Sequence, residues 1–310
     1  MSIRALSNTT ADINGGCYLV VRQRGRDSCT DACPTSPPSA AFVSPAGGQT
    51  PAPTEEGTPP ALLQIEREEV RPGRGAAHAA NEAAWAAAFV KAQSPVQWLG
   101  MTTVSGPTEA WFLTAHESFA AFEKGETSTD ANPALRAERD KLSAADGELL
   151  GRTSTIIARY RPALSYQAAV KLPNMRYMTV NLMRVKPGRV PEFTDGWRMI
   201  VDAHKRAKVD EHWAVYEVES GMPDTTFLFL YARKSLAEID ASGPMHGAAG
   251  YRDAVGDSGR RQMSEVNQNS IEMTQTMHFR LRPGMSALPK EWAETDPYWA
   301  PAAPVAAKKK

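Results

Sequence analysis

The sequence predicts an α+β protein built from two copies of one β-α-β-β-α-β unit. Three observations carry this. Val70-Arg71-Pro72-Gly73-Arg74 returns as Val185-Lys186-Pro187-Gly188-Arg189, 115 positions on. Trp98 with Ser105-Gly106 returns at the same offset as Trp213 with Ser220-Gly221. Arg161-Pro162 returns as Arg282-Pro283, 121 positions on. Landmarks that recur in the same order imply the same succession of elements twice. They name no reaction.

Residues 1–60 precede the repeats. Eight prolines stand between Pro34 and Pro60, with Ser, Thr, Ala and Gly between them. Proline removes a donor and fixes φ, so neither helix nor inner strand can run there. Too little apolar surface is present to offset ordering entropy, and the segment reads as a disordered or extended arm. The expected division is then 61–170 for the first unit, 171–286 for the second and 287–310 for a Pro- and Trp-rich tail.

The first unit opens with a strand over Leu62 to Val70, with Leu63 and Ile65 on one side and Gln64, Glu66 and Glu68 on the other. Such alternation marks a half-buried strand. Arg71-Pro72-Gly73-Arg74 breaks it. Ala76 to Gln93 is alanine-rich and carries Trp85, Ala88, Phe89 and Ala92 as one apolar stripe, which predicts a helix ended by Ser94-Pro95. Val96 to Val104 and Glu109 to His116 read as strands, and the short Ser105-Gly106-Pro107 connection makes them a hairpin. A helical region from Phe119 to about Glu148, interrupted near Gly125 and Pro133, precedes a fourth strand over Thr153 to Arg161. The second unit repeats this with strands over Tyr177 to Val185, His212 to Val218, Thr226 to Ala232 and Ser270 to Leu281. Its helices are Pro191 to Lys208 and a glycine-interrupted stretch from about Gly247 to Val266. The tail from Arg282 is expected to wrap the surface.

An antiparallel sheet in this order carries both helices on one face and must cover or wet the other. Trp111, Leu113 and Ala115, matched by Leu228, Leu230 and Ala232, are read as the helix-facing set. Phe112 and Thr114, matched by Phe229 and Tyr231, are read as the bare face. Both faces are largely apolar, so the two ferredoxin-like units are expected to pack sheet to sheet within one chain. The Pro-Gly turns at Val70–Arg74 and Val185–Arg189, with the hairpins at Ser105-Gly106 and Ser220-Gly221, resemble the dimeric α+β barrel superfamily in tandem form. NIPSNAP-like and antibiotic-biosynthesis-monooxygenase-like proteins belong to that group. The resemblance covers about 61–286 and is one of pattern. It implies a pseudo-dimeric barrel that binds a small organic molecule between a sheet and its helices, or between the sheets. Some members are cofactor-free oxygenases and some handle haem. The resemblance carries no catalytic residue over, predicts no cofactor and leaves haem open.

Composition narrows the partners. Lys plus Arg and Asp plus Glu are 35 each, so no general attraction to nucleic acid or anionic lipid follows. No apolar run reaches the roughly 18–20 residues of a membrane span. The three cysteines, Cys17, Cys29 and Cys33, lack the further ligands of a zinc site, and no metal is predicted. Localisation stays open. The lack of a signal-peptide core near the first residues favours the cytoplasm, whereas a Pro/Ala-rich arm resembles the linker found behind a secretion signal. A homo-oligomer is compatible with the pattern.

Candidate chemistry rests on a few side chains. His278, if Met277 and Phe279 face the helices, looks into the space between the sheets and suits a general base. His116 at the end of its strand is a second candidate, and His212 beside Trp213 reads as a structural histidine. Glu66 and Asn181 hold matching places opposite the expected helix-facing residues, where a desolvated carboxyl suits proton transfer. The bland reading is that Glu66 and Glu68 point to water or pair with Arg159. Arg159 and Arg280 match each other and suit an anionic ligand; Tyr216 and Tyr231 offer hydroxyls to orient one. No Walker, dinucleotide or Gly-x-Ser-x-Gly motif occurs. Whether the chain is an enzyme stays undecided at this level. A small-molecule-binding barrel, monooxygenase-like in character, is the first reading. A scaffold using the arm and the aromatic tail (Trp292, Tyr298 and Trp299) is the alternative.

Overall fold

The computed structural model describes residues 59–242 and 251–300. The arm expected over 1–60 lies almost wholly outside these residues, as does the start of the helix expected from Gly247. Strand β1 (Leu62–Val70) leads to helix α1 (Gly75–Lys91), the hairpin β2 (Leu99–Ser105) and β3 (Glu109–His116), helices α2 (Phe119–Asp130) and α3 (Pro133–Leu149), and strand β4 (Leu150–Tyr160). The succession recurs as β5 (Tyr177–Val185), α4 (Val190–Ala207), β6 (Ala214–Ser220), β7 (Thr226–Arg233), α5 (Ala237–Ser242), α6 (Tyr251–Ser270) and β8 (Ile271–Leu281), followed by α7 (Lys290–Thr295).

Local chemistry explains most boundaries. Both Pro-Gly turns place their glycine at φ +78, a left-handed conformation that glycine adopts without a Cβ penalty. Ser118 caps α2 by accepting from the Ala121 amide, and Asn132 caps α3 by accepting from Leu135 with Pro133 at the first turn. The break expected at Gly125 does not occur: one glycine costs a helix about 1 kcal/mol, which packing offsets. Pro133 does divide the region, because it lacks the amide that would continue α2. Helix α6 is kinked at Gly256, which sits at φ 67 and ψ 176. Helices α5 and α7, six residues each, carry too short a pattern for periodicity to reveal. No helix among the described residues is long and apolar enough to cross a membrane.

The eight strands close into one antiparallel barrel in the order β1-β3-β2-β8-β5-β7-β6-β4. The seams between the halves are β2 with β8 and β4 with β6. The sheets thus face one another across a common interior and are also hydrogen-bonded along both edges. Each seam is locked by the segment leaving the other half's last strand. Trp213 Nε1 donates to the Leu164 carbonyl at 2.8 Å, and Trp98 Nε1 donates to the Met285 carbonyl at 3.0 Å. Ser165 Oγ accepts from the Val215 amide and Ser286 Oγ from the Gly100 amide, both at 2.9 Å. The recurring Trp, Ser-Gly and Arg-Pro landmarks are therefore the parts that hold one half to the other.

The barrel interior reverses the expected assignment of faces. Trp111, Leu113, Leu228, Leu230, Met277 and Phe279 all point inward, where Trp111 and Phe279 meet at 4.9 Å between ring centroids. Phe112 packs under α1 and α3, and Phe229 and Tyr231 pack under α4. With both faces of these strands apolar, alternation identifies two faces but not which one the helices cover. Closure settles it, since each strand turns one face to an enclosed interior, and β1 offers Leu63 and Ile65 rather than Gln64, Glu66 and Glu68. Near one end of the interior, Glu109 receives Arg67 at 2.8 Å and Trp111 Nε1 at 2.6 Å.

At the other end, where β1, β2, β5 and β6 begin, the tail folds in rather than wrapping the outside. Trp292 and Trp299 belong to the interior cluster and are buried. Both indoles are taken up in packing within the chain. Asp296 fixes this arrangement by accepting from the Tyr298 amide and from the Arg176 guanidinium, which together hold its carboxyl below its ordinary value of 3.8. A depressed acid contributes stability that is complete above its unfolded pKa and is lost as pH falls through the folded value. Acidification below about pH 4 should therefore loosen the tail and change tryptophan emission. Asp296→Asn should show the altered emission already at neutral pH. An unchanged pH profile in that variant would mean the tail is held by other contacts.

Candidate functional site

A cavity of about 350 Å³ lies between the outer face of the first half's sheet and helices α1, α2 and α3. Its floor is Gln64, Glu66 and Glu68 of β1 with Phe112 and Thr114 of β3. Trp85, Phe89 and Trp98 form an aromatic wall, with Phe89 and Trp98 edge to face at 4.9 Å. Glu82 of α1, Glu126 of α2, and Arg139 and Asp146 of α3 complete it.

The sequence builds this polarity from ordinary periodicities. Alternation along β1 puts Glu66 and Glu68 on one face, and one helical turn puts His78 and Glu82 on one face of α1. The two sets meet. His78 Nε2 lies 2.7 Å from Glu68 Oε2 and 3.6 Å from Glu82 Oε1. All three residues are buried, and Glu82 Oε1 has no hydrogen-bond partner among the described residues. Asp146 is held differently, accepting from Asn81 Nδ2 at 2.7 Å and from Trp85 Nε1 at 2.8 Å. Burial raises the Glu82 carboxyl to about 9, with Glu68, Asp146 and Glu66 adding repulsion. Burial likewise raises Glu66 to about 7, helped by Glu68, Asp146 and Glu126 and opposed by Arg139. Glu66 keeps accessible surface because it looks into the cavity; the protein around the cavity desolvates it.

At the matching place in the second half the described residues are packed. The positions 115 beyond Glu68, His78 and Glu82 are Met183, Phe193 and Trp197. All three are buried, and Trp197 packs on Phe229 at 4.4 Å. The same arrangement of strands and helices is thus completed once with apolar rings and once with a polar, open interior.

The sequence-derived candidates are scattered over this framework. Glu66 lines the cavity. It lies under the helices rather than between the sheets, because the faces are reversed. His116 abuts the cavity, with Nε2 3.0 Å from Gln64 Oε1 and the ring edge to face with Phe122; burial lowers its pKa. His278 does not face the barrel interior, since its neighbours Met277 and Phe279 do. Its Nδ1 lies 3.0 Å from Thr179 Oγ1 on the outer face, and burial followed by Arg233 lowers its pKa. Arg280 is exposed on that face, and Arg159 pairs with Glu219 rather than with Glu66. Asn181 and Tyr231 lie under α4, where burial pushes the Tyr231 hydroxyl well up. Tyr216 is inside the barrel, 5.5 Å from Tyr160, and borders an apolar pocket of about 100 Å³ at the tail end. His212 Nε2 is 2.5 Å from the Ala232 carbonyl oxygen, a structural contact.

Glu68, His78 and Glu82 do not stand out in the sequence as a group. The signal that reveals them is the repeat itself: aligned on its 115 offset, three polar residues face Met, Phe and Trp.

No family model and no curated protein matches this chain. Solved structures resemble it in fold. One, provisionally described as a monooxygenase from Fusobacterium nucleatum subsp. nucleatum, is 10% identical over 71% of this chain and 91% of its own, with a TM-score of 0.48. An anthrone oxidase-like protein is 10% identical over 81% and 98%, with a TM-score of 0.45. The chlorite dismutase from Candidatus Nitrospira defluvii in complex with imidazole is 9% identical over 77% and 96%, with a TM-score of 0.42. These likenesses concern the arrangement of elements and carry nothing about this chain's chemistry.

Proposed function

We propose that the protein is a small-molecule-binding α+β barrel whose ligand occupies the cavity between the first half's sheet and its helices. The observation that carries this is the inequivalence of the halves. The fold buries Met183, Phe193 and Trp197 at the matching places, so the polar residues there are not required by packing. In this reading the halves, 61–170 and 171–286, are two copies of one unit, and only the first keeps the binding function.

The walls define the ligand's chemistry. The aromatic rings of the lining suit a flat apolar body. The carboxyl groups among them suit an amine or a hydroxyl that donates. A carboxylate at Glu66 stands where it can take a proton from such a molecule. Oxygenation in which the deprotonated organic substrate itself reduces dioxygen begins with that step, and this is the reaction class we assign. Haem fits the cavity poorly: its two carboxylates would meet a lining of Glu66, Glu68, Glu82, Glu126 and Asp146 against the one cation Arg139.

The test is a thermal-shift panel of aromatic amines and phenols with the full chain. At least one should raise the melting temperature. Thr114→Tyr, which gives the cavity the residue that the second half carries at that place, should abolish the shift while the fold is kept. No shift across the panel, or a shift that Thr114→Tyr leaves intact, would overturn the assignment of the cavity.

A further inference from the structure

We infer that Glu68, His78 and Glu82 form a binding site for one divalent transition-metal ion in the wall of this cavity. The inference rests on the proposed function in one respect, that the ion's open position faces the cavity, and the ion's own binding is measurable without any organic ligand. One ligand atom from each residue lies within 4.8 Å of the other two, with 2.7 Å from His78 Nε2 to Glu68 Oε2 and 3.6 Å to Glu82 Oε1. Around a zinc ion, nitrogen and carboxylate oxygen bond at about 2.0–2.2 Å, which places ligand atoms in a tetrahedron about 3.4 Å apart. The three atoms span that spacing, so an ion enters with small rotations of the side chains.

A bare acidic cluster would not support this. Here the second observation is Glu82, which is 4% exposed and whose Oε1 points at His78 without a hydrogen-bond partner among the described residues. An unpartnered buried carboxyl oxygen is costly, and ligating a cation, with loss of the proton, is one way to satisfy it. The elements also suit a site. His78 and Glu82 are one turn apart on a 17-residue helix, and Glu68 lies within strand β1, so the donors stand on regular elements. One imidazole with two carboxylates favours zinc, manganese or iron over calcium, which prefers an all-oxygen shell. Three protein ligands leave a fourth position for water or a ligand donor.

The chain offers a built-in comparison, because the second half replaces the three with Met183, Phe193 and Trp197 and folds around them. The experiment uses the full chain carrying Cys17→Ser, Cys29→Ser and Cys33→Ser, which removes thiol sites. Chelator-treated protein is titrated with Zn²⁺ alone by calorimetry, and Co²⁺ absorption reports the ligand set. One equivalent of Zn²⁺ is expected, with a raised melting temperature and a Co²⁺ spectrum of nitrogen and oxygen ligation. Glu82→Gln keeps the shape of the side chain, and His78→Phe uses the residue of the other half. Each should weaken binding by at least the roughly 10–100-fold that losing even an outer-shell partner costs. Absence of stoichiometric uptake, or uptake that both variants retain, overturns the site. A protein that takes up the ion yet responds to no organic ligand leaves the site standing and removes only the ligand reading.

Discussion

Gly221→Ala should unfold the protein or cost it at least about 4 kcal/mol, beyond the range of ordinary substitutions. A Cβ at this position would lie 1.9 Å from the Thr155 carbonyl oxygen and 2.9 Å from the Ile156 Cα. The obstruction is backbone of the neighbouring strand, so no side-chain rotation relieves it. Gly221 also sits at φ +86, where an L side chain is strained by about 1–2 kcal/mol even in open space. The clash falls on the β4–β6 seam, and relief requires the halves to part there. Gly188→Ala is the control: it shares the positive φ, at +78, but has nothing within 4 Å of the new carbon. It should lose only about 1–2 kcal/mol. Urea denaturation of both variants checks the comparison. If the two losses are alike, the seam is less tightly closed than the structure requires.

Trp213→Ala should cost about 3–5 kcal/mol, the range for deleting a large buried aromatic. The indole is 1% exposed and packs on His204 at 4.9 Å and Tyr166 at 5.2 Å. Its Nε1 donates to the Leu164 carbonyl, so the truncation removes both a volume and a hydrogen bond that joins the halves. Trp213→Phe restores most of the volume without the donor and should lose about 1–3 kcal/mol, the cost of an unsatisfied buried acceptor. Because the residue binds one half to the other, the loss should appear as a lower midpoint of a single transition. Two separate transitions would show that the halves are independently stable.

Much of the fold is legible in the sequence. The bounds of β3 and β5 and the order of all eight strands follow from alternation, turn residues and the repeat. What alternation leaves open is direction. Trp111 and Phe112 are both apolar, so periodicity finds two faces without saying which meets a helix. That one ambiguity displaces His278 and Glu66 from their true surroundings. Tyr216 reads as a ligand contact in the sequence, and its place inside the barrel depends on strands that pair across the halves. The tail reads as a surface wrap because Pro and Trp give no period. Its burial follows from Asp296 meeting Arg176, a contact 120 residues apart. His78 and Glu82 are hidden for another reason, since in an alanine-rich helix two polar residues read as a solvated face.

Ring closure has a consequence for self-association. Each of the eight strands has a partner on both sides, so the described part of the molecule offers no open main-chain edge to a second copy. Cutting the chain between the halves would uncover four such edges at once: β2 and β4 on one fragment, β6 and β8 on the other. Fragments made apart should then be sticky alone and recombine when mixed, each supplying the rim the other lacks.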